Sequence, residues 1–142
     1  MIYLLLGSNL GDREAYLNAA CAMLEDALAV SLRRSQVLET EAVGFDGPAF
    51  LNLAVAFEGP AWLSPTALLD LVQSVEVQLG RPRHKAEYDA DGKRVYHSRT
   101  IDIDILKYDS VECDTRRLTL PHPQRVSRPF AAQLLAEIES NN

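Results

Sequence analysis

Apolar residues open the chain without interruption. Residues 2–6 are all apolar and end at Gly7, a pattern typical of a buried β-strand. Residues 50–57 alternate instead, so their side chains divide between the two faces of a predicted strand. One set is Leu51, Leu53, Val55 and Phe57, and the other is Phe50, Asn52, Ala54 and Ala56. Similar patterns predict strands over residues 30–39 and 99–108, and residues 118–120 predict a short extra one.

Three other stretches repeat apolar residues at helical spacing. The first contains Leu17, Cys21, Leu24 and Leu28, with Asp12 as a candidate cap. The second begins at Ser64-Pro65, a cap residue followed by proline, and ends at Gly80. Its stripe consists of Leu68, Leu69, Val72, Val75 and Leu79. The third begins at Pro129 and contains Phe130, Leu134, Leu135 and Ile138.

The predicted element order is βαββαβ followed by a short C-terminal helix. This order is typical of an α+β, ferredoxin-like fold, in which helices pack on one antiparallel sheet. The 142 residues suit a single core, and no linker or internal repeat interrupts them, so we predict one domain over residues 1–142. Residues 40–49 and 81–98 are predicted loops, the second with a hairpin turn at Asp91-Gly92.

Charge is distributed unevenly along the chain. The net charge of −6 argues against general nucleic-acid binding. Residues 81–99 nevertheless carry six Lys or Arg against three Asp or Glu, a local charge of +3. Such a basic segment on an acidic protein suits a small polyanionic ligand, although a solvated loop would have the same composition. Composition alone leaves both interpretations open.

No targeting or membrane segment is predicted, because the apolar run at residues 2–6 is too short for either. The two cysteines, Cys21 and Cys113, are too far apart to form a metal or redox motif. We expect Cys21 to be buried in a helix and Cys113 to lie in a turn. Together these features predict a protein of a reducing cytoplasm.

Two aspartates in the strand predicted over residues 99–108 give the strongest chemical signal. Asp102 and Asp104 lie two positions apart and therefore face the same way, with Cα atoms roughly 6.6 Å apart. Ile101, Ile103 and Ile105 are expected to pack on the opposite face. Two adjacent carboxylates repel each other unless a cation lies between them, and Mg²⁺ prefers such oxygen ligands together with water and phosphate. The alternative is a strand whose charged face is simply solvated.

Other polar residues complement this pair. Gln73 and Glu76 are three apart and are predicted on the helix face opposite the apolar stripe. Arg81, Arg83 and Arg99 offer the fork geometry that grips phosphates, and His122 lies between two prolines. The sequence contains no phosphate-loop motif, protein-kinase signature, dinucleotide-binding glycine motif or zinc motif.

In their order and spacing these segments resemble the hydroxymethyl-dihydropterin pyrophosphokinase family. The segments are Gly7-Ser8-Asn9-Leu10, Phe50-Leu51-Asn52, Leu79-Gly80-Arg81-Pro82-Arg83, Arg99-Thr100-Ile101-Asp102-Ile103-Asp104-Ile105, and Pro121-His122-Pro123 with Arg128 and Phe130. The resemblance covers nearly the whole chain and implies the same ferredoxin-like core. It also implies a kinase that transfers pyrophosphate from ATP to 6-hydroxymethyl-7,8-dihydropterin in folate biosynthesis.

The resemblance further implies roles for individual residues. Asp102 and Asp104 match carboxylates that bind two Mg²⁺ ions, and Arg81 and Arg99 match arginines that assist transfer. Matches to the ATP site are Gln73, Glu76, Arg83, Tyr96 (where the family often has tryptophan), Arg99, Ile105, His122 and Arg128. Matches to the pterin site are Thr40, Ala42, Val43, Phe50, Asn52, Asp102 and Phe130, with the two phenylalanines as a ring sandwich. We expect a monomeric cytoplasmic enzyme, with no nucleic-acid or membrane partner.

Two alternatives from other functional classes remain at this point. One is a non-catalytic ferredoxin-like domain that binds a regulatory ligand and has no need of the aspartate pair. The other is a two-metal phosphodiesterase or nuclease, although the basic residues cluster in one loop and do not form a long stripe. For residues 82–98 we also predict a lid that orders over bound nucleotide and pterin.

Overall fold

The structure of the chain is a computed structural model. The structure describes residues 1–41, 47–80, 87–88, 90, 94–95, 100–122 and 129–140. Within these ranges the helices are α1 (Arg13–Leu28), α2 (Pro65–Gln78) and α3 (Pro129–Ser140). The long strands are β1 (Ile2–Ser8), β4 (Phe50–Phe57) and β7 (Asp102–Tyr108). The short strands are β2 (Arg33–Arg34), β3 (Leu38–Thr40), β5 (Glu87–Tyr88), β6 (Arg94–Val95), β8 (Cys113–Asp114) and β9 (Thr119–Leu120).

The main sheet has β1 at its centre. Its strand order is β2-β4-β1-β7, with β3 also paired to β4, and every pairing is antiparallel. Strands β1 and β4 are therefore neighbours in the sheet, although α1 and two short strands separate them in sequence. This order confirms the predicted ferredoxin-like α+β fold.

The two faces of the sheet support separate apolar clusters. Side chains such as Leu4, Leu6 and Val55 pack with α1 and α2 in the larger cluster. Those of Tyr3, Leu5, Ala54 and Ala56 belong to a second cluster with α3. The alternation predicted for residues 50–57 is confirmed, and both of its faces are buried over much of their length.

The predicted helix boundaries are confirmed by their caps. The Asp12 side chain accepts a hydrogen bond from the Ala15 N–H at 3.1 Å, and α1 begins at the next residue. Ser64 accepts from the Ala67 N–H at 3.1 Å, with Pro65 as the first helical residue. Gly80 follows α2 with a φ of +101°, a conformation that favours glycine.

The strand predicted over residues 30–39 is wrong in its extent, because β2 and β3 are separate short strands. Ser35 lies directly after β2 and interrupts the regular pairing with β4. Its N–H donates to the Ala54 carbonyl at 2.9 Å, while its hydroxyl accepts from the Ala54 N–H at 3.0 Å. A side-chain oxygen therefore takes the place that a backbone carbonyl has in a regular ladder.

The cysteine predictions have different outcomes. Cys21 is fully buried in the larger cluster, and this burial raises the pKa of its thiol, as expected for a structural cysteine. The prediction of a turn at Cys113 is wrong, because Cys113 lies in β8 and pairs with Leu120 of β9. Its thiol also contacts the Leu118 carbonyl oxygen at 3.2 Å.

Strands β5 and β6 pair as the predicted hairpin, with Glu87 opposite Val95 and Tyr88 opposite Arg94. Residues Asp91 and Gly92, where the turn was predicted, and most of the segment predicted to form a lid lie outside the described residues. No helix in the described ranges is long and apolar enough to cross a membrane.

Candidate active site

The candidate site is built around Gly7, near the end of the central strand. Gly7 lies opposite Asn52 of β4 on one side and opposite Asp102 of β7 on the other. Directly opposed residues in antiparallel strands share a face of the sheet. A Cβ atom added to Gly7 would lie 3.4 Å from Cδ1 of Phe50 and 3.5 Å from Oδ1 of Asn52. The bare glycine therefore leaves space above the backbone between the amide and the carboxylate.

The aspartate pair lies on this same face. Asp102 opposes Gly7, and Asp104 opposes Leu5, whose side chain belongs to the cluster beneath α3. Both carboxylates are partly exposed, whereas Ile101, Ile103 and Ile105 are buried in the larger cluster on the opposite face. The predicted division of this strand into a carboxylate face and an apolar face is confirmed.

The pair fits a hard divalent cation by the chemistry of its donors. Two carboxylates on one open face provide oxygen ligands and leave further coordination positions to water and phosphate, the arrangement that Mg²⁺ favours. No cluster of three or more His, Cys, Asp or Glu residues suited to holding a metal occurs in the part of the chain that the structure describes.

The placement of Glu76 corrects the sequence prediction. Glu76 is buried, with 8% of its surface exposed, and its carboxylate accepts a hydrogen bond from the Ile103 N–H at 2.8 Å. The prediction of a polar face opposite the apolar stripe was wrong because Glu76 follows Val72 by four residues, the spacing that aligns side chains on one helix face. Glu76 therefore holds the edge strand at the residue between the two aspartates.

His122 approaches the pair from beyond β9. Its Nε2 lies 3.9 Å from Oδ1 of Asp104, and its backbone N–H donates to the Leu106 carbonyl at 2.8 Å. The peptide bond between Leu120 and Pro121 is cis. His122 thus lies beside the carboxylate face, and its assignment to an ATP site stays a prediction.

The amide of Asn52 is held by the neighbouring strand. Its Nδ2 donates to the Leu38 carbonyl at 3.1 Å and to Oγ1 of Thr40 at 2.8 Å. Because a carbonyl can only accept, these bonds identify the amide nitrogen and direct Oδ1 toward the space above Gly7. Asn52 is almost fully buried, so its orientation is set before any ligand binds.

The two candidate stacking rings lie on the α3 side of the sheet. Phe50 is the first residue of β4 and is partly buried. Phe130 is the second residue of α3 and packs against the cluster that contains Leu5 and Ala54. Both rings are attached to regular elements, which restricts their positions.

The remaining described candidates are Gln73 of α2 and Ile105 of β7. Gln73 of α2 accepts a hydrogen bond from Arg117 at 3.5 Å, and Arg117 also contacts Asp70 at 2.7 Å. Ile105 is buried in the larger cluster, so its backbone is the part available to a ligand at the strand edge. Arg117, just before the strand predicted at residues 118–120, was not among the sequence candidates. Several candidates lie outside the described residues, namely Ala42, Val43, Arg81, Arg83, Tyr96, Arg99 and Arg128.

Comparison with known proteins identifies the family. A profile of the 7,8-dihydro-6-hydroxymethylpterin-pyrophosphokinase family matches residues 3–140. The chain belongs to this pyrophosphokinase family. Its relatives include proteins named 2-amino-4-hydroxy-6-hydroxymethyldihydropteridine pyrophosphokinase from several bacteria.

The relative from Bacillus subtilis (strain 168) is 40% identical over 138 residues, which cover 96% of this chain and 76% of that protein. The relative from Porphyromonas gingivalis (strain ATCC 33277) is 39% identical over 140 residues, covering 97% and 90%. The relative from Aquifex aeolicus (strain VF5) is 36% identical over 141 residues, covering 99% and 81%. Membership of the pyrophosphokinase family favours the kinase hypothesis over a regulatory domain or a nuclease.

Proposed function

We infer that this chain is an ATP-dependent enzyme that catalyses the reaction for which its family is named. It transfers pyrophosphate from ATP to 6-hydroxymethyl-7,8-dihydropterin, giving AMP and the pterin diphosphate, in folate biosynthesis. The observation that carries the proposal is the open face above Gly7, where a fixed amide and a carboxylate pair flank a position without a side chain. An apolar core has no need of such an arrangement.

The pterin is proposed to lie over Gly7. Phe50 and Phe130 stack on its rings, because aromatic faces bind a flat conjugated system well. Asn52 reads its polar edge through an amide whose orientation Leu38 and Thr40 already fix. We propose further contacts from the chain around Thr40, Ala42 and Val43, and from Asp102 on the other side of Gly7.

ATP is proposed to lie along the outer edge of β7. Its phosphates face Asp102 and Asp104, with His122 beside them. The proposed ATP-site residues are Gln73, Glu76, Arg83, Tyr96, Arg99, Ile105, His122 and Arg128, and Arg81 and Arg99 are proposed to assist transfer. A guanidinium can bind two phosphate oxygens at once, which suits a charge spread over several oxygens.

The nucleotide is expected to bring a metal, which we propose to be two Mg²⁺ ions held by Asp102 and Asp104. When bound, Mg²⁺ would neutralise charge that develops on the phosphates. The described residues fit this role by the carboxylate chemistry of their shared face.

The chain's own contribution is mainly positioning. The pterin hydroxymethyl oxygen forms a bond to the β-phosphorus of ATP, and its proton passes to solvent water. The bond from that phosphorus to the oxygen shared with the α-phosphate breaks, and AMP departs with this oxygen. Holding two reactants in line makes the step effectively intramolecular, and well-oriented pairs gain roughly 7–11 kcal/mol in this way. The strand spacing between Asn52 and Asp102 fixes the two substrates relative to one another.

We also propose that residues 1–142 act as a single domain, as a monomer and in the cytoplasm. Size-exclusion chromatography coupled to light scattering would measure the assembly state. A mass of about twice the 15.8 kDa chain would contradict the monomer.

The activity test supplies ATP, Mg²⁺ and 6-hydroxymethyl-7,8-dihydropterin and follows the nucleotides by chromatography. AMP and pterin diphosphate are expected in equal amounts, and neither should form without the pterin. Formation of ADP would indicate transfer of a single phosphoryl group. ADP as the main product, or AMP released independently of the pterin, would contradict the proposed function.

A further inference from the structure

Arg13 extends from the beginning of α1 toward the proposed pterin site. The helix begins at Arg13 because Gly11, with a φ of +69°, turns the chain and Asp12 caps the first turn. The Arg13 side chain is 30% exposed. It is directed toward Glu39 of β3 and toward Ala49, the residue just before β4, the strand that carries Phe50 and Asn52.

A single nitrogen of Arg13 contacts two separate parts of the chain. Its Nη1 donates to the Ala49 carbonyl at 2.8 Å and lies 2.9 Å from Oε2 of Glu39. Glu39 lies in β3 opposite Leu51, whereas Ala49 immediately precedes Phe50. Arg13 therefore joins the end of β3 to the beginning of β4.

A second donor acts on the adjacent peptide. Asn9 is 1% exposed, and its Nδ2 donates to the Pro48 carbonyl at 3.0 Å. The consecutive carbonyls of Pro48 and Ala49 thus accept hydrogen bonds from Asn9, which lies between β1 and α1, and from Arg13, the first residue of α1. Both hydrogen bonds are partly buried, and they hold the chain just before Phe50, where the pairing of β4 begins.

We propose that Arg13, together with Asn9, is a positioning residue for pterin binding. It fixes the backbone just before Phe50 and ties it to the strand whose Thr40 orients the Asn52 amide. The proposal rests on the proposed function, since it assumes that Phe50 and Asn52 bind the pterin. It extends that function to a residue whose own side chain need not touch the substrate.

An ordinary surface ion pair provides the comparison within the same protein. Arg34 lies 3.2 Å from Glu25, and both side chains are about one third exposed. Exposed pairs of this kind contribute little to stability or binding. Arg13 differs because its guanidinium also binds a backbone carbonyl next to a proposed substrate residue. Arg34→Met is therefore a matched control for Arg13→Met.

Calorimetry would measure binding of 6-hydroxymethyl-7,8-dihydropterin to protein saturated with Mg²⁺ and α,β-methylene-ATP. A charge-assisted hydrogen bond corresponds to about a tenfold effect, so Arg13→Met should weaken pterin binding by about tenfold. Binding of the ATP analogue should stay within about twofold, because Arg13 lies on the β4 side of the site. Arg13→Lys, which keeps the charge, should restore part of the pterin affinity, and Arg34→Met should change neither ligand.

Phe50→Ala distinguishes a failure of the positioning role of Arg13 from a failure of the proposed pterin site. If Phe50→Ala weakens pterin binding but Arg13→Met behaves like Arg34→Met, the positioning role is wrong and the proposed function stands. If Phe50→Ala has no effect either, the pterin site itself is misassigned. Equal weakening of both ligands by Arg13→Met would also overturn the proposal, because it would indicate a general structural role. If thermal unfolding shows that Arg13→Met is not folded, Arg13→Lys and Glu39→Gln provide the same comparison.

Discussion

The two faces of the central sheet use the same strands for different purposes. On the face toward α1 and α2, apolar side chains continue from Ile2 to Ile101 with little interruption. On the face toward α3, the apolar cluster includes Tyr3 and Leu5 but gives way to polar residues around Gly7. The comparison shows that the proposed site occupies the part of a sheet face that its covering helix leaves open.

The lengths of the elements account for this difference. Helix α3 has 12 residues and is roughly 18 Å long. Strand β4 has 8 residues and extends for roughly 27 Å. Among the described residues, α3 is the helix on this face and is shorter than the strand, whereas α1 and α2, both longer than α3, share the opposite face. Ala54 and Ala56 lie beneath α3, and their small side chains allow the helix to pack closely on the part of the sheet that it covers.

The largest expected effect is on the open face. Asp102→Ala or Asp104→Ala should reduce AMP formation by about a thousandfold or more, because each removes a carboxylate proposed to bind metal. Thermal stability should be unchanged or slightly higher, since one of two repelling charges is gone. Asp26 is an exposed residue of α1, so Asp26→Ala is a control that removes the same side chain away from the proposed site. Normal turnover by either aspartate variant would remove the basis for the proposed metal site.

The second prediction concerns the face of the sheet that packs against α1 and α2. Leu6 is fully buried beside Gly7 in sequence but points to the opposite side of the sheet. Leu6→Ala should lower the free energy of unfolding by about 2–5 kcal/mol, through lost transfer energy and the cavity that remains. Urea denaturation measures this loss, and kcat of the folded fraction should change little. A large loss of kcat without a loss of stability would mean that the two faces are not functionally distinct.

A third prediction separates the ligands on the open face. Phe50→Ala should weaken pterin binding more than tenfold, because ring stacking adds about 0.5–1.5 kcal/mol to the area buried. ATP-analogue affinity should change far less. Calorimetry with each ligand gives the ratio. Phe130→Ala is expected to behave similarly, but it should also lower stability because Phe130 packs against the cluster beneath α3.

The smallest effect is expected at Gly7. Its φ is not in the positive range, and an added Cβ would meet neighbouring side chains at 3.4 Å or more, so Gly7→Ala should fold normally. The methyl group would nevertheless occupy the space above the strand, and pterin affinity should fall about threefold to tenfold. Unchanged pterin affinity in Gly7→Ala would indicate that the ligand does not lie over this position.

Sequence periodicity predicted the fold well because most of the elements have strong patterns. The alternation of β4 and the stripe of α1 each depend on burial, which the apolar residues themselves determine. The strand before β4 was harder, since Ser35 replaces a backbone acceptor with its own hydroxyl and breaks the ladder. Such a local substitution leaves no periodic signal.

The candidate site was only partly accessible from the sequence. The shared face of Asp102 and Asp104 follows from strand geometry alone. The burial of Glu76 was also within reach, but its charge was given more weight than its spacing from Val72. The pairing of Gly7 with Asn52 and Asp102 was not accessible, because register depends on how three distant strands meet.

The register of β1 with β4 and β7 sets a fixed distance across the proposed substrate site. Neighbouring strands are held about 4.8 Å apart by backbone hydrogen bonds, so Asn52 and Asp102 are separated by roughly 10 Å across Gly7. Under the proposed assignment, this separation sets the distance between the polar edge of the pterin, at Asn52, and the point where its hydroxymethyl group meets ATP, near Asp102. Side-chain substitutions leave the spacing intact, because the peptide backbone defines it. An enzyme variant that accepts a longer or shorter pterin substrate would therefore have to bind it at a different distance from the Gly7 backbone, or through flanking side chains of different length.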